Sequence, residues 1–200
     1  MVSRALKILM LACIVSIWRV APARADWQFA PFFGYAFNGE TTLVTPEALG
    51  EIKVRWNVGG TVTLIGKGPL AVEGIFLLVP HFFEAGNSGT VSNSRVYSLM
   101  GNVVLAAPLS WNEYGLRPFV SGGLGLMHAT QTTIPNIFPL NENMLGYNVG
   151  GGAVGFITRH TGLRFDLRYY SSLSRNENSP AFGPAQLRYW TGAVGVVLKY

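Results

Sequence analysis

The stretch Glu51-Ile52-Lys53-Val54-Arg55-Trp56-Asn57-Val58-Gly59-Gly60-Thr61-Val62-Thr63-Leu64-Ile65 alternates along its length. Ile52, Val54, Trp56, Val58, Val62 and Leu64 share one face; Glu51, Lys53, Arg55, Asn57, Thr61 and Thr63 share the other. Successive side chains of a strand point to opposite faces, whereas a helix would mix these two sets. The stretch therefore predicts one long strand, apolar on one side and polar on the other. It exceeds the usual globular strand of about five or six residues and suits a tilted membrane strand of about nine to eleven.

Working outward, Leu163 to Tyr170 repeats the pattern, with Leu163, Phe165, Leu167 and Tyr169 opposing Arg164, Asp166, Arg168 and Tyr170. Trp27 to Asn38 sets Trp27, Phe29, Phe33, Tyr35 and Phe37 against Gln28, Gly34 and Asn38. Pro31 in that segment suits a strand end or edge better than mid-sheet. Leu70 to Phe83, Arg95 to Pro108, Leu116 to Thr130, Leu145 to Thr158 and Leu187 to Tyr200 complete a set of eight candidate strands.

The connections alternate in length. Gly66 to Pro69, Ser110 to Gly115 and Arg159 to Gly162 are short, while Gly39 to Gly50, Glu84 to Ser94, Gln131 to Met144 and Leu173 to Gln186 are long. Short turns on one rim and long loops on the other characterise transmembrane barrels, with the short turns facing the periplasm. The fold class is accordingly all-β, an eight-stranded antiparallel up-and-down transmembrane barrel. Closure is required because unpaired edge backbone in hydrocarbon costs several kcal/mol per group. A barrel of about eight strands has a lumen that side chains can fill, so the inward positions predict a polar plug rather than an open pore.

The start of the chain has a different grammar. Arg4 and Lys7 precede an apolar run from Ile8 to Trp18, which gives way to Ala23-Arg24-Ala25. This is a secretory signal, since the run is far shorter than the roughly 20 residues of a membrane-spanning helix. Cleavage before Asp26 divides the chain into a signal peptide, 1–25, and a barrel domain, 26–200. Lipidation at Cys13 fits less well, because the run continues through Ile14, Val15 and Ile17.

The whole chain has a net charge of +5, but the leader takes Arg4, Lys7, Arg19 and Arg24, leaving 11 basic against 10 acidic residues. No clustered basic stripe remains for nucleic acid. The single cysteine also leaves with the leader, so the mature part has no disulfide and no thiolate metal site.

Candidate chemistry is sparse. Lys53, Arg55, Glu73, Arg164, Asp166 and Arg168 fall on the inward face, where charges need partners and form a salt-bridge network. His81, His128 and His160 lie on different segments without metal-ligand spacing. His81 points inward near the outer end of its strand, where Ser98 on the next strand approaches it; a serine hydrolase would also need an orienting acid in register. Gly122-Gly123-Leu124-Gly125 and Gly150-Gly151-Gly152 lack the strand-to-helix context of a phosphate loop and read as sites of bending or close approach. Trp56, Trp111, Trp190, Tyr114, Tyr189 and Tyr200 read as an interfacial aromatic girdle.

Three pieces carry a resemblance: Leu116-Arg117-Pro118-Phe119-Val120-Ser121-Gly122-Gly123-Leu124-Gly125, Tyr147-Asn148-Val149-Gly150-Gly151-Gly152, and Gly162-Leu163-Arg164-Phe165-Asp166-Leu167-Arg168-Tyr169-Tyr170. With these, the chain resembles the outer-membrane β-barrel domain proteins of the OmpA-like small barrel group. The final residues look like the C-terminal targeting signal of such barrels, with Gly195, Leu198 and Tyr200 at matching positions; Ala193 stands where a polar residue is frequent. The resemblance implies a location in the outer membrane of a Gram-negative cell envelope. It also implies contact with outer-membrane lipids and lipopolysaccharide, and recognition by the barrel-assembly machinery. Lipid A deacylases resemble the chain more loosely. Their histidine-and-serine motif follows a strand like Arg168-Tyr169-Tyr170-Ser171-Ser172, but here Tyr170 stands in the histidine's place.

The function expected is that of a non-enzymatic barrel with a structural or surface-contact role exercised through its long loops. A lipid A-modifying enzyme, a narrow channel for small solutes and a soluble lipocalin-like carrier are the alternatives. No catalytic, cofactor-binding or metal-ligating residue is assigned.

Overall fold

The computed structural model describes residues 25–41, 54–66, 68–82, 91–108, 116–133, 140–173 and 187–200. Residues 1–24 of the expected leader, together with Lys53, Trp111 and Tyr114, lie outside the described residues.

Every regular element among the described residues is a strand: β1 Asp26–Thr41, β2 Arg55–Ile65, β3 Leu70–Pro80, β4 Val91–Ala106, β5 Leu116–Thr133, β6 Leu140–Phe156, β7 Thr161–Ser172 and β8 Leu187–Lys199. Each is antiparallel to its neighbours, and β8 returns to β1 to close the ring. No described helix is long and apolar enough to cross a membrane, which says nothing of a barrel.

The alternation read from the sequence sets the two faces. On β2, Trp56 and Val62 are exposed outside, as is Val54 just before it, while Asn57, Thr61 and Thr63 are buried inside. On β7, Leu163, Phe165 and Leu167 face out and Arg164 and Arg168 face in.

Several strands extend beyond their predicted ends on the long-loop side. β4 begins at Val91 rather than Arg95, β6 at Leu140 rather than Leu145, and β5 runs on to Thr133. The added residues are largely Asn, Ser, Thr and Gln, which pair through their backbones without contributing an apolar period. β3, by contrast, stops at Pro80. His81 follows with φ 57°, in the left-handed region that ends a strand's regular path.

Pro31 corrects an expectation: it lies inside β1, paired with Gly60 of β2. The β1–β8 pairs pass from Phe29↔Leu198 to Phe32↔Gly195. The missing N–H of Pro31 thus falls where that ladder is interrupted.

Both ends of the barrel meet on the short-turn rim. The Tyr200 N–H donates to the Trp27 carbonyl at 2.9 Å, and Lys199 pairs with Asp26 at 2.7 Å.

Candidate functional site in the lumen

The interior is filled in three layers. At mid-height, Arg164, Asp166 and Arg168 alternate along β7, so all three project inward. Glu73 projects from β3, four places round the eight-stranded ring, and meets them across the full width of the lumen. Arg164 Nη1 lies 2.7 Å from Glu73 Oε2 and Arg168 Nη2 lies 3.1 Å from Glu73 Oε1. Asp166 Oδ2 sits between the two guanidinium groups, 2.7 Å from Arg164 Nη2 and 3.1 Å from Arg168 Nη2. Two cations face two anions, so the layer is formally neutral.

Neutral groups complete the layer. Thr63 and Asn102 donate to the two oxygens of Glu73 at 3.2 and 3.1 Å. Arg168 donates to Asn148, which in turn donates to Asn102 at 2.7 Å. The Arg164 guanidinium stacks 4.4 Å above the Phe119 ring. Space for these long side chains comes from Gly150 and Gly152 on β6. A Cβ at Gly150 would collide with Arg168, and one at Gly152 would press on the Phe119 ring. The glycine run thus permits close approach, as the sequence suggested.

On the long-loop side lies an apolar layer built on Ile75, Leu77, Val79, Met100, Met127 and Met144. Tyr170 and Tyr189 are buried within it, their rings stacked at 5.1 Å and 11°. The Tyr189 hydroxyl pairs with Ser98 Oγ at 2.8 Å. On the short-turn side a second apolar layer contains Ile65, Ala71, Val104, Phe119, Val154 and Val197. Arg117 closes it from below, donating to the carbonyls of Ala107, Gly66 and Gly68 at 2.7, 3.4 and 2.6 Å.

These positions refine the expectations. The charged network forms from Glu73, Arg164, Asp166 and Arg168, while Arg55 is half-buried at the start of β2. The ionic network lies at the centre of the plug, between two mainly apolar layers. Its apolar layers escaped notice because β3 carries Ile75, Leu77 and Val79 inward and Leu70, Val72 and Phe76 outward, leaving no contrast between faces. Asn102 and Asn148 were also missed, although a lone amide in an apolar strand is a usable signal of an inward polar layer.

Tyr189 is a further correction. It belongs to the lumen rather than to an outer girdle, because its place in the β8 alternation matches buried Leu187 and Thr191. Trp56, Trp190 and Tyr200 are exposed outside. Tyr170, at the position where the deacylase motif has histidine, is fully buried in the stack.

The histidines do not converge. His81 is exposed beyond β3, and its backbone N–H donates to Ser94. His128 pairs with Asn143 at 2.7 Å near the long-loop rim, and His160 occupies the exposed turn between β6 and β7. Ser98, the candidate partner of His81, is engaged by Tyr189 instead. Among the described residues no group of His, Cys, Asp and Glu could hold a metal ion.

No family model and no curated protein matches the chain. Solved structures do. The crystal structure of Neisserial surface protein A (NspA) matches with a TM-score of 0.59 at 12% identity, covering 88% of this chain and 97% of that one. The outer membrane protein OprG from Pseudomonas aeruginosa matches at 0.55 with 10% identity, covering 88% and 96%. Ail, the attachment invasion locus protein of Yersinia pestis, solved with the heparin analogue sucrose octasulfate, matches at 0.53 with 12% identity, covering 87% and 99%. The likeness at these identities is one of fold.

Proposed function

We propose that this chain, which has the fold of small outer-membrane β-barrels, is itself an outer-membrane protein with a closed lumen and a structural or surface-contact role. The observation that carries the location is the outer wall. Phe33, Val62, Val72, Leu99, Val120, Val149, Phe165 and Val194, one from each strand, are all exposed. With the other exposed apolar side chains of the wall, such a ring makes a continuous apolar surface of a kind that soluble monomers rarely show. Hydrocarbon is the solvent that suits it, and the charged groups turned inward count against the lipocalin-like arrangement of an apolar interior beneath a wetted wall.

Aromatic side chains border the ring. Trp27 and Tyr200 are exposed near the short-turn rim, and Tyr35, Trp56 and Trp190 near the other. Trp27 and Tyr35 lie about 26 Å apart along β1 at roughly 3.3 Å per residue. A strand tilt of about 40° reduces that to a height of about 20 Å, near the roughly 25 Å apolar band of outer-membrane barrels. Arg95 and Arg188 are exposed toward the long-loop rim and would meet lipopolysaccharide phosphates there. The C-terminal segment ending in Tyr200 would engage the assembly machinery.

A non-enzymatic role is supported by the engagement of Ser98 with Tyr189 and the dispersal of the histidines. A closed lumen is supported by the apolar layers on both sides of the ionic one. The test is to refold the barrel in detergent and compare gel mobility before and after boiling, then to assay conductance and lipid A by mass spectrometry. A heat-dependent shift with background conductance and unmodified lipid A supports the reading. Solubility without detergent would reject the membrane location, and lipid A deacylation abolished by His81→Ala would reject the non-enzymatic role.

A further inference from the structure

The short-turn mouth holds a cavity of about 550 Å³, walled by charged side chains and the apolar Ile65 and Phe156. Arg117, Arg159 and Lys199 line it, with Asp26 as the one carboxylate side chain among its lining residues. That carboxylate pairs with Lys199 at 2.7 Å, so Arg117 and Arg159 carry the charge in excess. Arg117 is only 5% exposed, and its hydrogen-bond partners are the carbonyls of Ala107, Gly66 and Gly68. Carbonyl dipoles solvate a guanidinium but leave its net charge uncancelled. No carboxylate pairs with it among the described residues. A positive charge held beneath low-dielectric walls focuses its field into the opening.

Of the remaining cations, Lys199 is paired, and Arg159 is carried on a hydrogen-bonded turn with its side chain exposed. Arg159 lies in a turn where the Thr158 hydroxyl accepts from the N–H groups of His160 and Thr161 at 3.3 and 3.0 Å. The Thr161 carbonyl accepts from Ile157 and Thr158 on the other side of that turn. Lys199 is fixed by Asp26 and by the face of Phe156, 5.9 Å from its ammonium.

Inside Arg117 the space narrows to a cavity of about 20 Å³ bounded by Ile65, Val104, Phe119 and Val154. That is room for about one water. An alkyl tail therefore has no passage inward, and a ligand must be accommodated within the mouth.

We propose that the short-turn mouth binds a compact multivalent oxyanion, of the phosphate or small polycarboxylate class, between Arg117, Arg159 and Lys199. The phosphate headgroup of a lipid shares this chemistry, but the closed floor favours a free ion.

The test is calorimetric titration of the full-length barrel, refolded in an uncharged detergent, with inorganic phosphate, citrate and dodecyl phosphate in separate runs. Saturable 1:1 binding of phosphate or citrate is expected, weakened at least tenfold by Arg159→Gln combined with Lys199→Gln. His128→Gln, near the opposite rim, should leave it unchanged. These variants spare Arg117, whose loss would disturb the turns, and heat-shifted gel mobility verifies that each is folded. Absence of saturation, or affinity retained in the double variant, overturns the site. Binding of dodecyl phosphate in place of both free ions overturns the assignment to a free oxyanion.

Discussion

Glu73 has the most demanding position of any single residue. Its two oxygens serve both arginines together with Thr63 and Asn102. Removing one partner from a buried ion pair typically costs about 3–5 kcal/mol, because the other charge is stranded. Glu73→Gln should therefore lower unfolding free energy by roughly 3 kcal/mol, measured by urea titration in lipid vesicles. A loss under about 1 kcal/mol would mean that water or rearrangement supplies what the carboxylate does. Asn57 predicts the opposite sign. Its side chain is fully buried, and neither its amide nitrogen nor its oxygen has a hydrogen-bond partner among the described residues. Asn57→Leu should raise stability in the same titration by about 1–2 kcal/mol, the desolvation penalty of an unsatisfied polar group. Unchanged or lower stability would point to a bound water.

Among the elements, β6 shows how strand pairing and lumen filling constrain each other. A Cβ at Gly152 would collide with the Phe165 carbonyl on β7 as well as crowd Phe119. Gly152→Ala should reduce the yield of the heat-shifted form on refolding, whereas Gly155→Ala, where the nearest atom is a Leu116 methyl at 3.5 Å, should not. Equal yields would show that the β6–β7 ladder yields locally. The same elements show what a sequence can reveal. Alternation identifies β2 and β7 because their inward residues are polar or charged and their outward residues apolar. It fades in β3, where Ile75, Leu77 and Val79 fill the lumen while Phe76 and Val72 cover the wall. It fails at the long-loop ends of β4, β5 and β6, where pairing continues through polar residues. The ionic layer was legible because Arg164, Asp166 and Arg168 share one face. The contact of Ser98 with Tyr189 spans 91 positions and follows from closure, which local periodicity does not encode.

For the whole molecule, the three-layer filling separates charge from conduction. If the ionic layer alone blocked passage, Glu73→Gln would open the barrel. With apolar side chains packed on both sides of that layer, the variant should still show background conductance in planar bilayers. Currents well above background would make the charges, not the apolar layers, the barrier. Closure has another consequence, one of timing. Gln28 pairs with Lys199, so the seam joins residues at almost opposite ends of the barrel sequence. Pairings this distant are slow to form, because the intervening chain must first be brought into order. Until β8 arrives, β1 presents a bare edge able to recruit another chain. The vulnerable interval in this protein's life thus falls before the seam is sealed, and an escort covering β1 would be most valuable then.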